Sequence, residues 1–445
     1  MFVREVKYMA ELVVDLGENN PSVERDDSKC VYCGMCKKTC KVPVCINCGQ
    51  CANFCPPEAI REKKDFDKVK EIIKNTDKIV VFSTAPAVRV ALGEEFEGKD
   101  GEYVEGKMVS AIRKLGADYV LDVTFAADLT IVEEASELVN RIKNNGVLPQ
   151  FTSCCPSWVK FVEMYYPEFT KNLSTAKSPI SMQSAMIKTY FAKVKNINPE
   201  NIISVVVAPC TSKKYEVKRE ELSDASKFNG LKQCQDTDYS ITTRELAEWI
   251  REENIDFYSL KESKFDDLLG KGTGAGVIFG NTGGVMEAAL RTSYYYITGK
   301  NLPDDKIEFH AVRGMEAIKE ASIEINGLEV NVAIVHGIDN ARTLLEKIKA
   351  GEVTYHFVEV MNCVGGCISG GGQPKITLLK LDETRLKRID SLYSEDERLT
   401  KRLSHENPEI KEIYEKFLGE PLGEISEQLL HTEYFDKSDL LKGRI

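Results

Sequence analysis

Eight cysteines crowd into residues 30–55, as Cys30-x2-Cys33-x2-Cys36-x3-Cys40 and then, after four residues, Cys45-x2-Cys48-x2-Cys51-x3-Cys55-Pro56. No other feature limits the fold as tightly, because thiols at this density are either cross-linked or coordinated. Residues 1–14 mix Arg4, Glu5, Lys7 and Glu11 into an apolar stretch, which reads as an amphipathic helix and not as an export signal. A cytoplasmic chain keeps its thiols reduced, which argues against disulfides. Five of the remaining six cysteines fall in three short motifs farther along. The cysteines are there to hold metal.

The doubled spacing is that of bacterial ferredoxins. Three close cysteines wrap three corners of a cubane, while Gly34 and Gly49 permit the turns that aim amides at sulfur. In such domains the fourth ligand crosses over, which groups Cys30, Cys33 and Cys36 with Cys55, and Cys45, Cys48 and Cys51 with Cys40. Zinc ribbons are the competing reading, and the repeated motif favours two [4Fe–4S] clusters. The spacer Lys41-Val-Pro-Val44 is shorter than two-cluster ferredoxins usually have, so the pairing stays open.

The chain has 445 residues, enough for two to four domains, and a net charge of −11, which argues against nucleic acid as a main partner. No apolar run approaches the roughly 20 residues that span a bilayer. After a polar linker at 17–27 and the cysteine-rich stretch, helices and strands alternate. Helices are expected at 67–75, 130–144 and 159–166. Strands are expected at 78–83, 119–123, 202–207, 276–279, 330–335 and 355–360. This argues for α/β sheets with sites at strand C-termini. The expected division is 1–25 (helix and linker), 26–66 (ferredoxin-like), 67–375 (catalytic) and 376–445 (helical). Gly270-Lys-Gly-Thr-Gly-Ala-Gly276 lacks the strand–GxxxxGK[ST]–helix order of a phosphate loop. His310, His336 and His356 sit in apolar contexts and read as core histidines, and Cys234 matches no motif.

Three loops carry the chemistry: Thr152-Ser-Cys-Cys-Pro156, Ala208-Pro-Cys210-Thr-Ser-Lys-Lys-Tyr-Glu216, and Glu359-Val-Met-Asn-Cys363-Val-Gly-Gly-Cys367-Ile-Ser-Gly-Gly-Gly-Gln-Pro374. Neighbouring side chains diverge on a strand or a helix, so Cys154 and Cys155 face different things. One thiolate from each of the first two loops and two from the third would hold a third, buried cubane. The glycines at 365–366 and 370–372 suggest closer backbone approach than a cubane needs, and hence a larger cofactor.

These motifs resemble the three signatures of [FeFe]-hydrogenases. The likeness extends through Ser83-Thr-Ala-Pro-Ala-Val-Arg89, Phe125-Ala-Ala-Asp-Leu-Thr130 and the segment from Phe279 to Ala289. It ends in Ser404-His-Glu-Asn-Pro408 and Leu429-Leu-His-Thr432, which are similar to the family's small-subunit segment. The resemblance implies a two-lobed α/β hydrogenase domain with the site between the lobes. It implies an H-cluster, a cubane bridged by thiolate to a di-iron unit with CO, cyanide and azadithiolate. Cys155, Cys210, Cys363 and Cys367 would ligate the cubane, with Cys367 as the bridge and Cys154 as proton donor and acceptor. Lys213 would bond a cyanide, while Met361, Ala85, Pro86 and Ser153 would contact the cofactor.

Glu134, Glu137 and Arg141 share one helical face at i, i+3, i+7, which by itself reads as a surface ladder. The resemblance turns it into a proton relay from Cys154 through Glu134, Ser174, Glu137 and Arg141, with Glu216 a secondary candidate. Ala208, Ile180, Ser157 and Asn362 depart from the family's usual methionine, glutamine, glycine and alanine. The expected activity is reversible reduction of protons to H₂, with electrons from a ferredoxin drawn to Lys37, Lys38 and Lys41, and maturation proteins to build the di-iron unit. The rivals are an H₂ sensor and a non-catalytic iron–sulfur scaffold.

Overall fold

The computed structural model describes residues 12–232 and 234–442, so most of the helix expected at 1–14 lies outside the described residues. The ten strands in chain order are β1 (Val23–Arg25), β2 (Ile60–Glu62), β3 (Ile79–Thr84), β4 (Tyr119–Asp122), β5 (Gln150–Phe151), β6 (Ile202–Ala208), β7 (Tyr239–Thr242), β8 (Ile318–Ile325), β9 (Leu328–His336) and β10 (Phe357–Met361). They form two four-stranded sheets, β4-β3-β6-β7 and β5-β10-β9-β8, and a small antiparallel pair, β1-β2. The first large sheet is wholly parallel, and β8 is the one antiparallel strand of the second. The architecture is α/β, with one sheet in each lobe.

Parallel strands covered on both faces read as continuous apolar runs. Val80, Val81 and Phe82 in β3 and Val205, Val206 and Val207 in β6 are all at most 1 % exposed. The expected strands at 78–83, 119–123, 202–207, 330–335 and 355–360 appear with small end shifts. The stretch 276–279 does not form a strand. It is a short helix, Gly274–Val277, running into a 3₁₀ turn, Ile278–Gly280. A Cβ on Gly276 would come within 2.4 Å of the Thr124 carbonyl oxygen, so the segment is laid flat against the neighbouring helix.

That neighbour is the long helix α1 (Val123–Lys143), which begins seven residues before the expected start. Asp122 ends β4 and caps the helix at once, accepting from Thr124 N at 3.0 Å. The first two-thirds of α1 is buried on every side, its Asp128, Glu133 and Glu134 included. The loop at 270–276 uses its amides for carboxylates. Gly270 N and Lys271 N donate to Glu409, and Thr273 N to Asp128. Residues 23–25, expected in the linker, form β1 against β2.

The C-terminal part is helical, led by α2 (Leu381–Arg398). It is stitched to the sheets by buried charges. Asp396 accepts from Arg291 and Arg402, and Arg388 pairs with Glu94. Asp128 on α1 accepts from Ser404 and Asn407. Of the three histidines expected in the core, His336 is buried and bonded, with Nδ1 accepting from Gly365 N at 2.9 Å. His356 is half-buried and accepts from Asn331 N at 3.0 Å. His310 is a correction, because it sits in a 3₁₀ turn with a side chain 78 % exposed.

Candidate active site between the sheets

Each of the three motif loops leaves the C-terminal end of a strand. The first follows β5 and the third follows β10 in one sheet, while the second follows β6 in the other. As β5 ends, Thr152 prolongs the ladder by accepting from Val360 N at 3.1 Å, and its carbonyl takes the Trp158 indole N–H at 3.1 Å. Cys155 is then the extended N-cap of a helix opened by Pro156, which turns it away from Cys154. The second and third loops are joined by Gly372 N donating to Pro209 O at 2.8 Å.

Cys155, Cys210, Cys363 and Cys367 come together at this junction. Burial raises the pKa of each, and repulsion among the four thiolates adds to it for Cys210, Cys363 and Cys367. Four desolvated thiols that repel as thiolates fit a cationic metal group, since the thiolate is the ligand form. Among the described residues, no group of three or more His, Cys, Asp or Glu closes around one point as a single metal ion requires.

Beside the four thiols lies a cavity of about 60 Å³, lined among others by Ala85, Pro86, Ile180, Ala208, Cys154 and Lys213. Its wall is apolar apart from Lys213 and the thiols of Cys154, Cys210 and Cys367. Lys213 Nζ donates to the Cys154 carbonyl at 3.0 Å and pairs with Glu216 Oε2 at 2.6 Å. Burial works against its charge, but Glu216 and the neighbouring thiols outweigh burial and raise its pKa. Met361 is 2 % exposed and belongs to the apolar cluster against which Cys154 and Cys367 pack. Ser153 faces away from the cavity, with Oγ donating to Ala176 O at 2.7 Å.

Glycines 366 and 370–372 of the third loop make close approaches to other protein segments. A Cβ would meet Thr282 N at 2.6 Å from Gly366, Pro209 O at 2.2 Å from Gly370, and Cys48 O at 2.2 Å from Gly371. They let three loops and the cysteine-rich segment interlock.

Glu134 and Glu137 lie on α1 beneath Cys154. Burial first, and then the Glu137 charge, push the Glu134 carboxyl up, while a hydrogen bond from Ser174 opposes them. Ser174 Oγ donates to Glu137 Oε2 at 2.6 Å, and Arg141 Nη2 to Glu137 Oε1 at 2.6 Å. Arg141 also donates to the carbonyls of Val147 and Leu173. The Cys154 thiol is raised by burial and then by Glu134. Glu216, the secondary relay candidate, accepts from Ser178 and Ser181.

In the cysteine-rich segment Gly34 and Gly49 adopt φ of 77° and 69°, each opening a short helix. Cys40, Cys45, Cys48 and Cys51 line one cavity of about 300 Å³. Gln50 Nε2 donates to Cys363 Sγ at 3.2 Å and to Ser369 O at 2.9 Å. Thr211 Oγ1 donates to Asn47 O at 2.8 Å. Ser157 bonds Ser212 side chain to side chain. None of these partners is adjacent in sequence, so no motif announces them. Glu359, the first residue of the third motif, accepts from Gly283 N and Met286 N and anchors the helix Gly284–Thr298.

An α/β molecule with three cysteine loops meeting between two sheets, flanked by an eight-cysteine segment, defines an iron–sulfur oxidoreductase of hydrogenase type. Residues 78–371 match the profile described as iron only hydrogenase large subunit, C-terminal domain, and residues 382–437 match iron hydrogenase small subunit. The NADP-reducing hydrogenase subunit HndD of Solidesulfovibrio fructosivorans is 45 % identical, over 94 % of this chain and 75 % of its own length. Iron hydrogenase 1 of Clostridium pasteurianum is 44 % identical, over 85 % of this chain and 65 % of its own. The structure of an [FeFe]-hydrogenase HydA1 variant from Chlamydomonas reinhardtii aligns with a TM-score of 0.73 at 38 % identity, covering 83 % of this chain and 98 % of that one. The chain belongs to the iron-only, or [FeFe], hydrogenase family.

Proposed function

We propose that this protein catalyses 2 H⁺ + 2 e⁻ ⇌ H₂ at an H-cluster. The observation that carries the reading is the convergence of Cys155, Cys210, Cys363 and Cys367 beside an apolar cavity that also receives the unpaired thiol of Cys154. Cys155, Cys210, Cys363 and Cys367 would hold a cubane, and Cys367 with the other residues lining the cavity would hold the di-iron unit. When bound, that unit supplies the open metal site and the basic amine at which protons and electrons combine.

The chain's own residues do the rest. Cys154 holds or passes a proton at Sγ. Glu134, its carboxyl pushed up by burial, exchanges it with Ser174 and Glu137. Arg141 keeps the Glu137 carboxylate oriented where the path meets the surface. Lys213 sets a buried positive charge on the cavity wall to receive an anionic ligand, and Glu216 holds it in place. Ala85, Pro86 and Met361 exclude water. Glu216 remains the secondary relay group.

Residues 26–66 form a ferredoxin-like unit with two [4Fe–4S] clusters. The shared cavity of Cys40, Cys45, Cys48 and Cys51 supports the crossed pairing and leaves Cys30, Cys33, Cys36 and Cys55 for the other cluster. Residues 67–375 are the catalytic unit and 376–445 the small-subunit-like helices. Electrons arrive from a ferredoxin or a similar acidic carrier, and maturation proteins deliver the di-iron unit. Fourteen reduced cysteines suit the cytoplasm.

Infrared spectroscopy of the maturated protein is the test, and absence of CO and cyanide bands would overturn the reading. Iron analysis is expected to give 14 irons per chain: eight in the two accessory clusters, four in the cubane and two in the di-iron unit. About 10 would reduce the accessory clusters to one. Cys154→Ala is expected to abolish turnover while keeping the bands.

A further inference from the structure

Asn362 follows β10 and stands between two sets of thiols. Its side chain is 8 % exposed, and Nδ2 lies 3.9 Å from Cys363 Sγ. It also lines the cavity formed by Cys40, Cys45, Cys48 and Cys51. Cys48 lines that same cavity, so the Asn362 carboxamide faces thiols of both sets. The surrounding backbone holds this junction shut, since Gly371 abuts the Cys48 carbonyl with no room for a Cβ. Gln50, one residue before Cys51, donates its side-chain amide to Cys363 alone among the cysteines.

Resting on the cluster assignment above, we propose that the Asn362 carboxamide bridges the thiolates of Cys48 and Cys363 and ties together the redox states of the two clusters they hold. An amide N–H directed at a cluster sulfur favours the more negative, reduced state, because hydrogen bonds to sulfur are among the levers that set iron–sulfur potentials. A residue that touches one thiolate shifts one cluster. A residue between two shifts both in the same direction, so the driving force for moving one electron from the accessory cluster to the cubane stays nearly constant. Asn362 is a positioning residue in this scheme and touches no substrate.

The test uses the full chain reconstituted with iron and sulfide but without the di-iron unit, so that the readout is not activity. Redox titration followed by electron paramagnetic resonance gives the midpoint of each cluster. Asn362→Ala is expected to move the cubane and the Cys48-held cluster both to more negative potentials, with a several-fold fall in the reduced-to-oxidised ratio of each at a fixed potential. Asn362→Leu, which keeps the bulk, is expected to do the same. Gln50→Leu is expected to move the cubane alone. If Asn362→Ala or Asn362→Leu moves only one midpoint or neither, the bridge is wrong while the clusters stand. If the unsubstituted chain shows no [4Fe–4S] signals, the cluster assignment fails and this inference with it.

Discussion

Glu137 is the residue on which the proposed relay turns, because it bonds both Ser174 and Arg141. The pair is largely buried, with side chains 12 % and 10 % exposed, so a test of the relay must keep the shape of the site. Glu137→Gln keeps the shape and removes the titratable group. Turnover is expected to fall about 10²-fold or more, with infrared bands unchanged. Full activity in that variant would remove Glu137 from the path. At this scale the sequence was informative where chemistry is local. The adjacent pair Cys154 and Cys155 already implied two targets, and the extended N-cap at Cys155 separates them in space. It singled out Ser157 but was silent on its partner, Ser212, which lies 55 positions away. It did not announce that the glycines of the third loop also meet other loops, because close approach to a cofactor and close approach to another loop demand the same residue.

Elements were legible when burial and period agreed. The strands of both sheets stand out as apolar runs of β-branched residues, and only their ends shift. The long helix was half-hidden because its buried first turns have no polar face to show a period of 3.6. The C-terminal helices are held by pairs invisible to any local pattern. Asp396 is fully buried and receives both Arg291 and Arg402. Asp396→Asn leaves Arg291 with Glu287 and Arg402 with Glu308, and is expected to cost about 3 kcal/mol, read as a lower thermal midpoint with α2 released first to protease.

His405, in the same part, stacks on Tyr295 at 4.3 Å and is bonded to Thr292 and Asn301. Burial lowers its pKa from 6.5 to about 4. The unfolded chain therefore binds the proton first as pH falls from about 6.5, and stability drains until the folded form is protonated near 4. The shift is worth on the order of 3 kcal/mol. His405→Gln is expected to flatten the thermal midpoint across that window, and an unchanged slope would clear His405 of the effect.

For the whole molecule, the two-sheet plan explains why the site needs every part of the chain. One sheet supplies Cys210 and Lys213, and the other supplies Cys155, Cys363 and Cys367. The small-subunit-like helices back the third loop through Arg388, which donates to Ile368 O. Electron entry is also a property of the whole. Lys37 and Lys38 are exposed on the helix Met35–Thr39, whereas Lys41 faces Asp339 at 3.8 Å. Lys37→Glu with Lys38→Glu is expected to slow reduction by an acidic carrier about tenfold at low salt, with the difference closing at high salt, and Lys41→Glu to do less. A rate insensitive to salt would exclude steering.

The meeting of Gly371 with Cys48 also bears on how far this chain can be pared down. A catalytic fragment starting after the cysteine-rich segment would lose the Gln50 and Asn53 amides that satisfy the carbonyls of Ser369 and Gly370. It would also open the Gly371 backbone to water. The eight-cysteine segment is thus half of a mortise joint whose other half is the loop bearing Cys363 and Cys367, and minimal versions of this enzyme should keep both halves.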